Sequence, residues 1–384
     1  MFKKMAQNIA KSTSEVIGYG VLVTDEKGVI IGCNDEKRIG ELHPPSIKVM
    51  QENRPMTTST ADAENYGNIL PGYTLPIQFF DRVLGSVSIA GLPEEVERYG
   101  LLVQKQAEIM LREQAFLESN LLRERALRDL IENISSYDPR KGSGELIIMQ
   151  ANELGFNILK CRVAIVIEMN KWSNEAAENA FQRMFREVRT SFSNPRNVIC
   201  PQENYRATIL LSTSSDGGSE KIYEAAETLS KDFLDSVRAK GILADVSIGF
   251  SAFDLQGLCR SINSAKNSLR LAKQLGTKGI IRSEKFTGES LIDALPSEVR
   301  EDYVSMTLKG LPARNDYDEI RDTFMAWCES PFASGNVAER LSMHRNSLQY
   351  RLKKIRALTG KDPWNFKDAF ELWTAFVISD ISKN

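Results

Sequence analysis

From Arg340 to Lys361 the chain carries seven Lys or Arg and no Asp or Glu. A solvated surface helix normally mixes the two signs, so this stretch asks for an anionic partner. Within it, SGNVAERLSMHRNSLQYRLKKIRALTGKD (Ser334–Asp362) reads as two short helices, Asn336–Leu341 and Arg345–Leu358. They flank a polar break, Ser342-Met343-His344, and the second stops at Gly360, which is a helix-turn-helix pattern. On a helical wheel Leu348, Leu352 and Ile355 share a sector about 60° wide. Arg345, Asn346, Gln349, Tyr350, Lys353 and Arg356 fill the opposite sector, about 140° wide. The chemistry suits DNA. Lys353, Lys354 and Arg356 can neutralise phosphates, which gives affinity without sequence information. His344, Arg345, Asn346 and Gln349 sit at the N-terminal end of the second helix, which approaches base edges in such modules. There Arg matches guanine O6/N7, and Asn or Gln matches adenine N6/N7. The plainer alternative is a basic helix pair that serves a protein contact.

A second constellation lies mid-chain. The strand RVAIVIEM ends in Glu168-Met169-Asn170, and a hairpin follows that contains Pro201-Gln202-Glu203-Asn204. With its βαββαβ order and the later SIGFS, this segment resembles the GGDEF nucleotide cyclases, and that resemblance implies first-strand carboxylates for two metal ions and a Gly-Gly-acidic hairpin for the nucleotide. Here one potential ligand is the amide Asn170 and the hairpin has no Gly pair. Both halves of such a site are compromised, so a structural or dimerising role is expected and no catalytic residue is assigned. No G-x-x-x-x-G-K-[ST] phosphate loop occurs.

The elements that must position these groups follow from periodicity. A short amphipathic helix (Lys4–Val16) precedes GVLVTDEKGVIIGC, two β-branched runs about the turn Asp25-Glu26-Lys27-Gly28. After a helix around Ile47–Gln51 come GYTLPIQFF and VLGSVSIAG, which completes a small antiparallel sheet of PAS-like size. From Pro93 only Gly100 interrupts the chain before Tyr137, which predicts one long helix. Its stripe of Val103, Ala107, Met110, Leu117 and Leu121, continued by Leu127, Leu130, Ile131 and Ile134, packs either on its own domain or on a second subunit. Beyond the linker Ser136–Glu145 the order is βαββαβ, with helices over Asn174–Arg189, Ser219–Lys240 and Leu258–Leu275. This predicts an open sheet covered on one face. After Thr287 only short helices are expected. The fold class is therefore α+β and multidomain, with a sensor over 1–135, a cyclase-like α/β domain over 140–285 and an all-helical domain over 290–384.

The pattern A-x-x-L-x-x-H-R-N-S-L-x-Y-R-L-x-x-I (Ala338–Ile355) resembles the PucR-type helix-turn-helix that ends bacterial sugar-diacid regulators. KMAQNIA, RIGELH at Arg38–His43 and LPIQFFDRVLGSVSIAGLPEEVERYG at Leu75–Gly100 resemble that family's sugar-diacid recognition domain. ANELGFNILKCRVAIVIE and SIGFS…SAKNSLRLAK resemble its GGDEF-like middle domain. The resemblance implies a cytoplasmic regulator that binds operator DNA as a dimer or higher oligomer. Its effector would be glucarate, galactarate or a related hydroxy acid such as glycerate. At His43-Pro44-Pro45-Ser46 the chain departs from the family, which more often has Gly and small residues after the His.

A polyhydroxy acid needs a cation or helix N-terminus for its carboxylate and neutral polar groups for its hydroxyls. The resemblance directs attention to Arg38, Ile39, Gly40, Glu41, Leu42 and His43, with Arg38 as the cation, a Gly40 N–H and a helix start just beyond. Gly85, Ser86, Ser88 and Gly91 on the last sensor strand join them. Ordinary loop chemistry is the alternative for each: a solvated Arg38, a satisfied core His43, glycines in turns.

Composition narrows the rest. The chain has 384 residues, 42% apolar and 26% charged with a net charge of −2, values ordinary for a globular protein of two to three domains. Two histidines and five scattered cysteines without a C-x-x-C point away from hydrolase, zinc and disulfide chemistry. No cofactor or metal is expected. The polar opening MFKKMAQNIAKSTSEVIGYG lacks a signal-peptide core, and no uncharged apolar run reaches membrane-span length.

Overall fold

The computed structural model describes residues 2–66, 69–142, 144–172, 176–212, 219–330 and 334–382. It divides the chain into two compact units, 1–123 and 124–384.

The first unit begins with α1 (Phe2–Ile17), β1 (Gly20–Asp25) and β2 (Ile30–Cys33). The turn between the strands is built by Asp25, whose Oδ1 accepts the N–H groups of Lys27 (3.0 Å) and Val29 (2.9 Å), and by Gly28 at φ +79°. Next come α2 (Pro44–Glu52), β3 (Met56–Thr58), α3 (Thr60–Tyr66), β4 (Gly72–Phe79) and β5 (Arg82–Ala90). The five strands form one antiparallel sheet in the order β2-β1-β5-β4-β3. Strand alternation gives its faces different chemistry. Val21, Val23, Leu75, Ile77, Val87 and Ile89 share a core with Ala6, Ile9 and Ala10 of α1. Thr24, Thr74, Ser86 and Ser88, the in-between positions, put buried hydroxyls on the other face.

The long helix is α4, Pro93–Ser135, 43 residues and so about 64 Å. Val96, Val103, Ala107 and Leu111 join the core of the first unit. Leu127, Leu130, Ile131 and Ile134 join a core of the second. Leu117 and Leu121 are 54% and 56% exposed, so the expected seam is buried only at its two ends.

The second unit continues with α5 (Gly144–Glu153), β6 (Arg162–Lys171), α6 (Ala177–Ser191), β7 (Val198–Gln202), β8 (Arg206–Ser212), α7 (Ser219–Ala239), β9 (Leu243–Ala252), α8 (Leu255–Gln274) and β10 (Ile280–Arg282). Asn174, the expected start of α6, lies outside the described residues. The sheet order is β10-β9-β6-β8-β7, antiparallel except for the β9–β10 pair. This sheet is covered on both faces, not one. Val163, Ile165, Ile167 and Met169 of β6 pack with α6 and α7, while Ala164 packs with the ends of α4 and α8 and Val166 with α8. The near-continuous apolar run of β6 reflects that two-sided burial. The chain goes on with α9 (Thr287–Asp293), α10 (Ser297–Leu308), α11 (Tyr317–Glu329), α12 (Ser334–Arg340) and α13 (Arg345–Thr359). They are followed by α14 (Phe366–Ile381). No described helix is long and apolar enough to cross a membrane.

Candidate functional site

The break between α12 and α13 is local in origin. Ser342 adopts φ +48°, Met343 N donates back to Ala338 O (2.9 Å), and the His344 ring caps α13 by accepting the Asn346 N–H at 3.2 Å. Gly360 closes the helix at φ +79°, its N–H on Arg356 O. Leu348, Leu352 and Ile355 are buried with Val337 and Ala338 of α12, Phe324 and Trp327 of α11 and Phe376 of α14. That core turns the opposite face outward. His344, Arg345, Asn346, Gln349, Tyr350, Lys353 and Arg356 are all exposed.

Lys354 differs from this group. Its ammonium pairs with Asp316, the residue that precedes α11, and its side chain is only 26% exposed. Arg351 likewise pairs with Glu319 at 2.8 Å and with Thr323 Oγ1 at 3.0 Å. The pair at Asp316 holds that carboxyl down to about 2, chiefly through the Lys354 hydrogen bond and then through Arg314. Lys354 therefore fastens α13 to the preceding segment, where the sequence had suggested a phosphate contact. Arg356 is an intermediate case, paired with Asp362 at 3.1 Å while its side chain stays 62% exposed.

In the first unit a cavity of about 130 Å³ opens on the hydroxyl-bearing face of the sheet. Of the ten residues singled out from the sequence it brings together Arg38, His43 and Ser88. Asn34, Asp35 and Cys33 join them, with Gly20, Leu22, Leu70 and Ala90 also on the wall. Sequence reasoning passed over Asn34 and Asp35, although they open the loop NDEKRIGELH that supplied Arg38 and His43. Asp35 caps the single turn Glu36–Arg38 by accepting the Lys37 N–H, which sets where Arg38 leaves the chain. Arg38 pairs with Glu41 at 3.5 Å.

His43 is 3% exposed, and its Nδ1 lies 2.7 Å from Ser46 Oγ. Ser86 Oγ lies 2.6 Å from Ser46 Oγ and 2.9 Å from Thr24 Oγ1, so a chain of buried hydroxyls leads from the cavity wall across the sheet. Burial, aided by the Arg38 charge, pushes the His43 pKa down to about 4, so its ring is neutral near pH 7. Ser88 accepts from Thr74 Oγ1 at 2.9 Å.

The other seven positions lie off the wall of this cavity. The Gly40 N–H, expected to be open to a ligand, donates to Ile30 O at 2.9 Å. Ile39, Glu41 and Leu42 are exposed and stand off the cavity wall. Gly85 lets two strands approach, since a Cβ there would sit 2.0 Å from Thr24 O. Ser86 belongs to the hydroxyl chain, and Gly91, its N–H on Pro71 O, turns the chain toward α4. The start of α2 is also a poorer anion site than expected. Pro44 and Pro45 have no N–H, and the Ser46 N–H is taken by His43 O.

The strand-end residues Glu168 and Asn170 are both engaged by neighbouring side chains. Glu168 accepts Arg206 at 3.0 and 3.1 Å and Lys273 at 3.0 Å. Asn170 Nδ2 donates to Asp245 Oδ2 at 2.5 Å, and the Gly279 N–H to Asp245 Oδ1 at 2.6 Å. Asn204 and Tyr205 turn the hairpin with positive φ, and the Tyr205 ring packs on Phe181 and Trp172. Among the described residues no group of three His, Cys, Asp or Glu is placed to hold a metal.

Three families match the chain in order: sugar diacid recognition over residues 1–134, the GGDEF-like domain over 140–271 and the PucR C-terminal helix-turn-helix domain over 320–378. Together the three matched modules span most of the chain, in the order that the sequence resemblance implied. The carbohydrate diacid regulator of Escherichia coli K12 is 26% identical over 381 residues, 98% of this chain and 97% of that one. An uncharacterised protein of Haemophilus influenzae is 24% identical over 369 residues, 93% and 94% of the two chains. A solved regulator of polyketide synthase expression from Bifidobacterium adolescentis aligns with 69% of this chain and 95% of its own. Its identity is 20% and its TM-score 0.31, too loose a likeness to carry an argument. The cavity lies within the residues matched by the sugar diacid recognition family, and the exposed face of α13 within those matched by the helix-turn-helix family.

Proposed function

We propose that this chain is a transcription regulator that binds a sugar diacid or related hydroxy acid (glucarate, galactarate or glycerate) and reads operator DNA. It would act in the cytoplasm as a homodimer or higher oligomer and control genes for uptake or breakdown of that acid. One observation carries the reading: α13 exposes Arg345, Asn346, Gln349, Tyr350, Lys353 and Arg356 on a face free of acidic residues, backed by a closed apolar core. Arg345 and Asn346 lie at the end that meets base edges, and Lys353 and Arg356 are spaced to meet phosphates.

The cavity supports the effector half. Arg38 supplies a cation, Ser88 a hydroxyl, and Asn34 and Asp35 polar groups for a hydroxylated chain. The domain limits proposed are a sensor over 1–135, a GGDEF-like domain over 140–285 and a DNA-binding domain over 290–384. The middle domain is assigned a non-catalytic role, because Arg206 and Lys273 occupy the carboxylate that metals would need. Whatever the acid, it must favour one arrangement of the DNA-reading helices over another, since equal affinity for both would shift nothing.

A thermal-shift titration with glucarate, galactarate, glycerate and tartrate tests the effector half. At 100 times the dissociation constant the bound acid stabilises its domain by about 2.7 kcal/mol. A shift with one acid that Arg38→Ala abolishes supports the reading. No shift with any of the four removes the diacid assignment and leaves the DNA-binding face standing.

A further inference from the structure

Helix α8 contributes to two cores of the second unit. Along its N-terminal half Leu255, Leu258 and Ile262 are buried in one core with Leu127, Leu130, Ile131 and Ile134 of α4. A polar edge of the same half holds the end of α4. Asn263 Nδ2 donates to Ser135 O at 2.8 Å, Lys266 Nζ to Ser135 Oγ at 3.3 Å, and Cys259 Sγ to Ser135 O at 3.3 Å. Residues 259, 263 and 266 follow i, i+4, i+7 spacing and so form one edge. Ser135 O belongs to the last helical turn, where carbonyls lack an intrahelical donor, and α8 supplies the missing partner.

The C-terminal half of α8 does the same for the DNA-reading helices. Ala265, Leu269 and Ala272 share a core with Val377, Ile378 and Ile381 of α14. Gln274 Nε2 donates to Ile381 O at 3.0 Å, and Arg270 pairs with Asp293 of α9. Another face of α14, through Ala369, Leu372 and Phe376, is buried with Leu348, Leu352 and Ile355 of α13.

We infer that α8 is a lever that carries a displacement at the C-terminal end of α4 through α14 to the DNA-reading helix α13. A 20-residue helix is a rigid rod of about 30 Å, and close-packed cores at each end shift between discrete arrangements rather than deform smoothly. Asn263 is the positioning residue at the input, exposed and outside every core, and Gln274 is its counterpart at the output. The lever deepens the regulator reading and rests on it for its purpose, but the contacts can be tested without acid or DNA.

The test is hydrogen exchange on the full chain, alone in buffer, for wild type, Asn263→Asp and Gln274→Ala. Asp keeps the size of Asn263 and replaces its donor with an acceptor. With the lever intact, Asn263→Asp speeds exchange in α14 by about threefold or more while the sheet of the first unit is unchanged. Coupling between sites is reciprocal, so Gln274→Ala loosens residues 127–135 of α4 in turn. Should Asn263→Asp unfold the second unit, the Gln274→Ala arm still decides. Exchange in α14 unmoved by Asn263→Asp, or in α4 unmoved by Gln274→Ala, overturns the lever. Failure of every acid in the thermal-shift titration leaves both results untouched, so the two ideas fall separately.

Discussion

Lys353 and Lys354 are neighbours of one charge type in different surroundings, and under the proposed function DNA binding in rising salt separates them. Lys353 is exposed and joins no ion pair among the described residues, while Lys354 is held by Asp316. Each phosphate neutralised contributes about 0.9 to the slope of log affinity against log salt. Lys353→Ala should therefore flatten that slope by about 0.9 per recognition helix. Between 50 and 200 mM salt that amounts to about 3.5-fold, so the variant's deficit at low salt shrinks by that factor at high salt. Lys354→Ala should leave the slope within error of wild type and lower thermal stability instead. The stability it removes has a pH signature. Asp316 is held at about 2 against an ordinary 3.8, so the pair's contribution is complete above about pH 4 and fades as pH falls toward 2. The assay is fluorescence anisotropy on one labelled duplex at four salt concentrations, with a melt of each variant beside it. If Lys354→Ala flattens the slope as much as Lys353→Ala does, the pair with Asp316 opens onto DNA and the face drawn for α13 is wrong.

Arg345→Ala and Asn346→Ala should each cost about 1–3 kcal/mol on the operator and little on random duplex, measured as the ratio of the two affinities. His43 has a depressed folded pKa, so its contribution is present above pH 6.5 and lost as pH falls to about 4. The loss is about 3 kcal/mol across that window, and His43→Gln should flatten the melting profile of the sensor between those limits. Leu352→Ala, at a position 1% exposed, should destabilise the helical domain by about 2–5 kcal/mol in chemical denaturation without altering the acid response.

The exposed face of α13 was legible because the helix writes its exposure in a strict 3.6-residue period, with Leu348, Leu352 and Ile355 on the buried side. Lys354 was misplaced because a wheel gives angle alone. Its partner Asp316 lies thirty-eight positions earlier, and only packing brings the two together. Strands β1, β4 and β5 were readable as β-branched runs, whereas β3 and β10, three residues each, carry too little pattern to register. The face-to-face cover of the second sheet was underestimated because β6 has no polar alternation to reveal which helices lie where. At the cavity, Arg38 and His43 were reached through the family resemblance, since their residue types alone fitted a solvated Arg and a core His as well. Gly85 marks a close approach of backbone, with Thr24 O where a Cβ would sit, whereas Gly40 answers to its φ of +96° and gives its N–H to Ile30 O.

The central claim is that one acid changes how this chain holds DNA. The most direct measurement is the affinity for a duplex from the chain's own promoter region, by anisotropy at fixed salt, without acid and with saturating glucarate, galactarate or glycerate. The account predicts that at least one acid changes that affinity by about fivefold or more, and that Arg38→Ala keeps the acid-free affinity but loses the change. An affinity that is the same with and without every acid, or one that does not fall with salt, contradicts it.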